Sequence, residues 1–232
     1  VLLLRGASRD VAATSTSRIV LVGLGVASSV LTARFLGPSG RGSLATLTAL
    51  AGIGLQLGNL GLHASNTYQV SRRPDLLAPV WANSLRTASW LGLSLTILTL
   101  LAAVLFPGVL GEIPFPLLLP ASLCIPFQLL ALFGLNLLVG LGRLPLFNTL
   151  ELAFRIPSLG GLLLILLALG GDVRWVLLLN LVVAIGAGVV VTRILGGTIR
   201  KSGSGEPKTS FSLFRASLGY GAKAYVAALL AY

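Results

Sequence analysis

Acidic residues are scarce in this 232-residue chain: six Asp and Glu stand against 17 Lys and Arg, which gives a formal net charge of +11 at pH 7. The chain has one cysteine, Cys124, one histidine, His63, and no methionine. A single cysteine excludes a disulfide framework and a thiolate metal site. A lone histidine excludes a metal site built from several histidines. We therefore predict neither a metal nor a cofactor.

Charged residues of both signs are also few, at 10% of the chain, whereas hydrophobic residues make up 55%. The Lys and Arg residues lie between long apolar runs, unlike the basic surface patches of nucleic-acid-binding domains. Such runs, separated by basic connections, are typical of a multi-pass membrane protein. We predict an all-α polytopic membrane protein, with membrane lipids and not nucleic acid as its surroundings.

The apolar runs predict six membrane spans and the start of a seventh, at residues 17–36, 43–70, 80–106, 117–141, 145–169, 175–195 and 213–232. Residues 1–16 are an interfacial lead-in. Gly and Pro in the turn at 36–42 end the first span, and Pro120 and Pro126 are predicted to break the fourth. The domains are thus a six-span lobe (1–195), a flexible basic loop (196–212) and the start of a seventh span (213–232). The two ends of the chain lead us to expect a fragment of a longer one.

Basic residues in the connections are divided unequally between the two predicted sides. Three lie on one side: Arg34, Arg41 and Arg174. Eleven lie on the other: Arg5, Arg9, Arg18, Arg72, Arg73, Arg143, Arg193, Arg200, Lys201, Lys208 and Arg215. Because Lys and Arg are enriched in cytoplasmic connections, this excess predicts a cytoplasmic N-terminus in the cytoplasmic (inner) membrane.

The fifth span carries charge in its interior. On a helix, four polar residues form one stripe at i, i+3, i+7 and i+10: Asn148, Glu151, Arg155 and Ser158. Glu151 precedes Arg155 by four residues, the order that favours an ion pair. A charge at mid-bilayer costs roughly 2.5–3.5 kcal/mol on insertion scales, so the stripe must face protein or water. Two interpretations stay open: a structural ion pair, or an Arg155 that faces a cavity and binds an anionic substrate while Glu151 tunes it.

The second span carries another polar stripe with the same spacing: Gln56, Asn59, His63 and Asn66. Four polar residues on one helix face predict the water-lined wall of a cavity. His63 is interpreted as a proton carrier or as a packing residue. Gly54 and Gly58 form a Gly-x-x-x-Gly pair, which allows close helix packing.

Further polar residues lie within the other spans. Arg86 is predicted either to face a cavity or to snorkel to the headgroups. Lys223 is predicted to face a cavity because a lipid-facing lysine is costly. Three amides are predicted to bond between helices: Gln128, Asn136 and Asn180. Arg34 and Arg41 bound the non-cytoplasmic turn. The tryptophans are predicted at the membrane interface, with a deeper position as the alternative for Trp90: Trp81, Trp90 and Trp175.

Two segments of the chain resemble a known family. Residues 28–42 read Ser-Ser-Val-Leu-Thr-Ala-Arg-Phe-Leu-Gly-Pro-Ser-Gly-Arg-Gly, and residues 60–66 read Leu-Gly-Leu-His-Ala-Ser-Asn. A first span that ends in Ala-Arg-x-Leu-Gly-Pro, followed by this second span, resembles the polysaccharide flippase family of the multidrug and lipid-linked oligosaccharide exporter superfamily. Residues 211–222, after a basic loop, are similar to the start of that family's second six-helix lobe. The resemblance covers residues 16–70 well and 213–232 loosely.

The resemblance implies the N-terminal lobe of a two-lobed bundle of roughly 12–14 spans, whose cavity opens alternately to the two sides. It implies a lipid-linked anionic glycan as substrate, a polyprenyl-diphosphate sugar used in polysaccharide biosynthesis. It also implies a C-terminal lobe in the full-length chain and contacts with polysaccharide assembly proteins. An arginine suits the diphosphate of such a substrate. The residues expected to bind it are Gln56, Asn59, His63, Asn66, Arg86, Asn148, Glu151, Arg155 and Lys223.

Three other functions are weaker matches to the sequence. A membrane-embedded glycan-pathway enzyme needs acidic residues for Mg²⁺ or as a general base, yet only Glu151 of the six acids lies in a span. A multidrug antiporter of the same superfamily needs acidic cavity residues to export cationic drugs, whereas these spans hold the bases Arg86, Arg155 and Lys223. Nothing positively indicates a scaffold subunit. The sign of the charge favours a transporter of an anionic substrate over an enzyme.

Overall fold

A computed structural model describes the backbone of residues 2–106, 113–202 and 209–230, and the side chains of residues 14–106, 113–202 and 209–223. Every regular element in these ranges is a helix, which confirms the predicted all-α fold for the described part of the chain. Most of the predicted connection that contains Glu112, and residues 203–208 of the predicted basic loop, lie outside it.

Seven α-helices are described: α1 (Leu2–Asn59), α2 (Leu62–Arg72), α3 (Leu77–Leu105), α4 (Phe115–Gly140), α5 (Leu144–Leu163), α6 (Val173–Lys201) and α7 (Phe211–Leu230). A 3₁₀ turn, Pro74–Leu76, precedes α3, and a π-helical turn, Leu164–Ala168, extends α5. Five helical stretches are long and apolar enough to cross a membrane: Thr14–Asn59, Pro74–Leu105, Phe115–Gly140, Leu144–Ala168 and Val173–Lys201. The chain is therefore built as a multi-pass membrane protein.

The long helix α1 is divided at Gly37, where the backbone leaves the helical region with φ 67° and ψ −179°. Arg41 Nη2 donates to Ser29 Oγ at 3.1 Å, although twelve residues of straight helix would span about 18 Å. The two segments, which we name α1a (residues 2–36) and α1b (residues 38–59), therefore fold back on each other. The predicted turn at 36–42 is confirmed. Segment α1b alone is about 33 Å long, enough to cross a hydrocarbon core of about 30 Å.

The prediction of one continuous second span over residues 43–70 is wrong. The helix stops at Asn59 because Leu60 and Gly61 both take positive φ values, 47° and 71°, and α2 then starts in a new direction. The break lets α7 approach closely, since a Cβ at Gly61 would overlap the carbonyl oxygen of Gly221. Only glycine fits this contact. The break therefore joins α2 to α7.

The prediction that proline breaks the fourth span is also wrong, since α4 is continuous through Pro120 and Pro126. Pro126 has no N–H, so the Ser122 carbonyl loses its intrahelical donor. Thr96 Oγ1 of α3 donates to that carbonyl at 2.9 Å. Gly92 makes room for the proline, because a Cβ there would lie 2.5 Å from Pro126 Cα. The neighbouring helix thus replaces the bond that proline removes, as apolar surroundings require.

Helix α4 lies at the centre of the bundle and packs against α1b, α2, α3 and α6. The close packing predicted for Gly54 and Gly58 is confirmed, because a Cβ at either position would lie 2.6 Å from a side-chain carbon of Ile125 or Leu129 on α4. Trp81 is 2% exposed in a core with Leu137 and Leu195. Its predicted interface position is therefore wrong, because it packs against protein.

The α5 start and the α6 end lie at one end of the bundle, where Arg143 Nη1 donates to Thr198 Oγ1 at 3.0 Å. The Gly37 turn and the α6 start meet at the opposite end, since a Cβ at Gly40 would lie 3.3 Å from Val173 Cγ2. We call the first the basic end. Here α6 continues to Lys201, so residues 196–201 of the predicted loop are helical. Arg200 and Lys201 in the last turn stabilise it against the helix dipole.

Candidate functional site

A cavity of about 790 Å³ lies among α1a, α1b, α4, α5 and α6. We call it the central cavity. Its walls are largely leucine, valine and alanine side chains, interrupted by a few polar groups. Those polar side chains are Arg18, Thr48, Gln128, Glu151, Arg155, Ser158 and Asn180. Apolar walls with a few placed polar groups are the usual character of a ligand site.

Helix α5 presents its charged stripe to this cavity, as its periodicity predicts. Glu151, Arg155 and Ser158 line the central cavity, whereas Asn148, one turn earlier, is buried beside α1a and donates from Nδ2 to Thr14 Oγ1 at 3.0 Å. Asn148 therefore ties α5 to α1a, and the cavity wall begins at Glu151.

The predicted ion pair between Glu151 and Arg155 is wrong. Glu151 Oε2 lies 3.5 Å from Arg18 Nη1 on α1a. The Arg18 guanidinium also lies 5.9 Å from the centre of the Phe147 ring, which places it over the first turn of α5. The Glu151 side chain is 23% exposed and Arg18 57% exposed, so the pair stands at the cavity edge. A partner on a neighbouring helix has displaced the partner four residues away.

Arg155 is left without a counter-charge by this arrangement. Within the described ranges its side chain forms no ion pair and no hydrogen bond. It lies eleven residues beyond Leu144 in a 25-residue apolar helical stretch, about 16 Å from that end and close to the middle of the bilayer. An uncompensated cation at this depth requires water or an anionic ligand.

A smaller cavity of about 290 Å³ adjoins the central cavity, and we call it the side cavity. Both are lined by the same four polar residues: Thr48, Arg155, Ser158 and Asn180. The side cavity adds Arg41, whose guanidinium is held by Ser29, and the hydroxyls of Ser28 and Thr32. Arg155 therefore lies between two adjoining cavities.

The charge of the two cavities together is positive. Three arginines, Arg18, Arg41 and Arg155, and one acid, Glu151, line them, so the formal sum is 3 − 1 = +2. Because Glu151 is held by Arg18, the free charges are those of Arg155 and Arg41. The site is suited to an anion.

The predicted polar stripe on the second span does not form one wall, because the helix break at Leu60 and Gly61 divides it. Gln56 is exposed. Asn59 and His63 bond to each other, with Asn59 Oδ1 2.9 Å from His63 Nδ1. Asn66 is buried and donates from Nδ2 to Ser84 Oγ of α3 at 2.8 Å. The prediction of a water-lined wall here is wrong, and Asn66 joins two helices.

Arg86 and Lys223 lie away from the central cavity. Arg86 lines a separate groove of about 730 Å³ with Trp90, Phe211 and Phe214, between α3 and α7. Asn83 fixes the start of α7 there by donating from Nδ2 to the Ser210 carbonyl at 3.0 Å. Lys223 is exposed on α7 and lines neither the central nor the side cavity. The described residues therefore do not bring Arg86 and Lys223 into one cavity with Arg155.

Sequence reasoning missed several residues of the site. Gln128 and Asn180, predicted to bond between helices, line the central cavity, whereas the Asn136 amide donates to its own helix at Leu132 O, 2.9 Å away. From the sequence, Arg18 and Arg41 are predicted only as basic residues in the connections between spans. The available signal was position, since Arg18 lies four residues inside the apolar stretch that starts at Thr14.

Comparisons with protein-family models, with curated proteins and with solved structures gave no match for this chain. The geometry of the cavities therefore carries the functional argument, and the resemblance to polysaccharide flippases stays a prediction.

Proposed function

We propose that the chain is the cavity-bearing lobe of a membrane transporter that moves a lipid-linked anionic oligosaccharide, a polyprenyl-diphosphate sugar, across the cytoplasmic membrane. The observation that carries this proposal is Arg155, a cation without a partner in the described structure, which lies at mid-bilayer depth and lines two adjoining cavities. A guanidinium offers paired donors that match phosphate oxygens. The diphosphate is therefore assigned to Arg155.

The rest of the site supports the same class of substrate. Arg41 lies in the side cavity as a second cation, so the two phosphates of one diphosphate have two arginines to contact. Thr48, Ser158 and Asn180 line both cavities and supply groups that hydrogen-bond sugar hydroxyls. The apolar remainder of the central cavity suits the first isoprene units. In the proposal, the diphosphate, the sugar hydroxyls and the isoprene units of the substrate each have matching side chains in the two cavities.

Alternating access requires a second body against which this lobe moves. In the proposal this is the C-terminal lobe that begins with α7, which meets α2 through the Gly61–Gly221 contact and a stacked Tyr68–Tyr220 pair 4.5 Å apart. The excess of basic residues at the basic end supports placing that end, and the N-terminus, in the cytoplasm.

A multidrug antiporter is the second candidate, and Glu151 is the observation that favours it, because a cationic drug or a proton needs an acid in the cavity. Glu151 is engaged by Arg18 at 3.5 Å, and the summed charge of the two cavities is positive. Cationic substrates are therefore disfavoured unless that pair opens.

Binding of a polyprenyl-diphosphate sugar to the chain in nanodiscs tests the proposal. Arg155→Gln should weaken binding by at least about tenfold, the effect of losing one charge-assisted contact. Arg155→Lys keeps the charge without the paired donors. Its affinity should lie between that of the unchanged chain and that of Arg155→Gln. The matched control is Arg34→Gln, since Arg34 is exposed and lines neither cavity. Unchanged binding by Arg155→Gln would exclude the assigned role, and preferential binding of lipophilic cations would favour the antiporter.

A further inference from the structure

At the basic end, three basic side chains surround a separate pocket of about 430 Å³. They are Arg143, from the turn between α4 and α5, and Arg193 and Lys201 of α6. The remaining lining residues are Ile194, Gly197, Thr198 and Ser202, and none of the seven is acidic. The volume lies within the range of about 300–1,000 Å³ that small-ligand pockets occupy. The pocket shares no lining residue with the central or side cavity.

Two of the lining side chains, Arg143 and Thr198, are held in place by hydrogen bonds. Arg143 Nη1 donates to Thr198 Oγ1 at 3.0 Å, and Thr198 Oγ1 in turn donates to the Ile194 carbonyl at 2.9 Å. Arg193, Gly197 and Lys201 follow at i, i+4 and i+8, on one side of α6. A Cβ at Gly197 would meet nothing within 4 Å, so the glycine leaves an open floor between the two cations.

Within the described structure, no acidic side chain balances the charges of this pocket. Arg193 and Lys201 form no ion pair or hydrogen bond with the rest of the described chain. Three like charges around one space repel one another, and an anion between them removes that cost. The three basic side chains are exposed, so the pocket favours an anionic occupant.

The position of the pocket along α6 identifies the source of that anion. The 29 residues of Val173–Lys201 span about 44 Å, longer than a hydrocarbon core of about 30 Å. The last turn of α6 therefore reaches the headgroup region, and Arg193 lies about 12 Å before Lys201, near the glycerol and upper acyl level. Ile194 offers an apolar contact at that depth.

We infer that this pocket binds the headgroup of an anionic phospholipid with two phosphates, a diphosphatidylglycerol. One phosphate lies between Lys201 and Arg143, and the other reaches Arg193. The backbone positions of Arg193 and Lys201 are about 12 Å apart, a spacing that two phosphates joined by a glycerol match better than a single phosphate does. Basic pockets between membrane helices bind lipid headgroups of this kind. The inference concerns a site outside the proposed transport path and does not depend on transport.

The test is lipid binding to the purified chain in a neutral detergent, counted by native mass spectrometry. Diphosphatidylglycerol should bind at least about fivefold more tightly than phosphatidylglycerol, and phosphatidylcholine should not compete. Arg193→Gln and Lys201→Gln should each weaken binding of diphosphatidylglycerol about fivefold, the effect of one basic residue on an anionic lipid. Arg193→Lys keeps the charge and should retain most of the affinity.

Arg215→Gln is the control, because Arg215 is exposed on α7, carries the same charge and lies outside the pocket. It should change the affinity less than twofold, a smaller effect than one pocket charge has. An equal loss in Arg215→Gln and Arg193→Gln would show general surface attraction and overturn the inference. Equal affinities for lipids with one and two phosphates, or unchanged binding by both pocket variants, would also overturn it.

Discussion

Helices α4 and α5 both contain proline inside an apolar helix, but they differ in whether a buried polar group has a hydrogen-bond partner in the protein. In α4, the Ser122 carbonyl that Pro126 leaves free accepts a bond from Thr96, and Gly92 packs against the proline. In α5, the buried Asn148 Oδ1 accepts no hydrogen bond within the described structure, and Glu151 Oε2 has only the ion pair with Arg18 at 3.5 Å. The Arg155 guanidinium forms none either.

This difference distinguishes the helices that stabilise the fold from the helix α5 that lines the proposed binding site. An unsatisfied polar group is costly in an apolar medium, and the carbonyl that Pro126 frees in α4 is satisfied within the protein. Helix α5 leaves its charged face open to two cavities, an arrangement that is stable only with water or a ligand present. We expect substitutions on α4 and its neighbours to affect stability and those on α5 to affect binding.

Filling the space at Gly92 should give the largest loss of stability. A Cβ in Gly92→Ala would lie 2.5 Å from Pro126 Cα, which is backbone and cannot turn aside. Overpacking of this kind costs about 1–3 kcal/mol, measured as a lower midpoint of thermal unfolding in detergent. Gly52→Ala is the control, because a Cβ at Gly52 meets nothing within 4 Å, and its midpoint should stay or rise. Equal midpoints for the two variants would contradict the close contact of α3 with α4.

Removal of the Thr96 hydroxyl should give a moderate loss of stability. Thr96→Val keeps the shape but leaves the Ser122 carbonyl without its donor, at a cost of about 1 kcal/mol. The control Thr192→Val removes a hydroxyl that bonds only to its own helix, at Gly188 O, and should change the unfolding midpoint less. The reverse order would show that α4 does not depend on α3 for this carbonyl.

Loss of the ion pair between Glu151 and Arg18 should have the smallest effect on stability. A double-mutant cycle of Arg18→Gln and Glu151→Gln should show a coupling energy of up to about 1 kcal/mol, because water screens the exposed Arg18. The corresponding cycle of Glu151→Gln with Arg155→Gln should show less. Both are measured by thermal unfolding, and a larger coupling for the second pair would restore the ion pair within α5.

Much of the fold follows from local patterns in the sequence. Hydrophobic runs indicate the long helices, and Gly37 with Pro38 marks the turn between α1a and α1b, because both signals lie within a few residues. The cavity-facing side of α5 follows from its 3.6-residue period. These predictions need no knowledge of neighbouring helices.

Contacts between distant segments were not predictable in the same way. Arg18 and Glu151 are 133 positions apart, since 151 − 18 = 133, whereas the four-residue spacing of Glu151 and Arg155 favours the pair that does not form. The break at Leu60 coincides with the close approach of Gly221 on α7, and the Ser122 carbonyl of α4 accepts its hydrogen bond from Thr96 of α3. Two of the wrong predictions, the pair of Glu151 with Arg155 and the proline break in α4, therefore concern polar groups whose partners lie on another helix.

The access of water and substrate to the α5 face tests the central claim most directly. In a Cys124→Ser background, Ser158→Cys places a thiol in the cavity wall beside Arg155, and Ile156→Cys places one on the 56% exposed residue two positions earlier, which lines neither cavity. A charged, membrane-impermeant thiol reagent, which reacts with thiolates in water, should label the first variant in proteoliposomes and not the second. A polyprenyl-diphosphate sugar should slow that labelling, and Arg155→Gln should remove the protection. Equal labelling of both positions, or labelling that the substrate does not slow, would contradict the account.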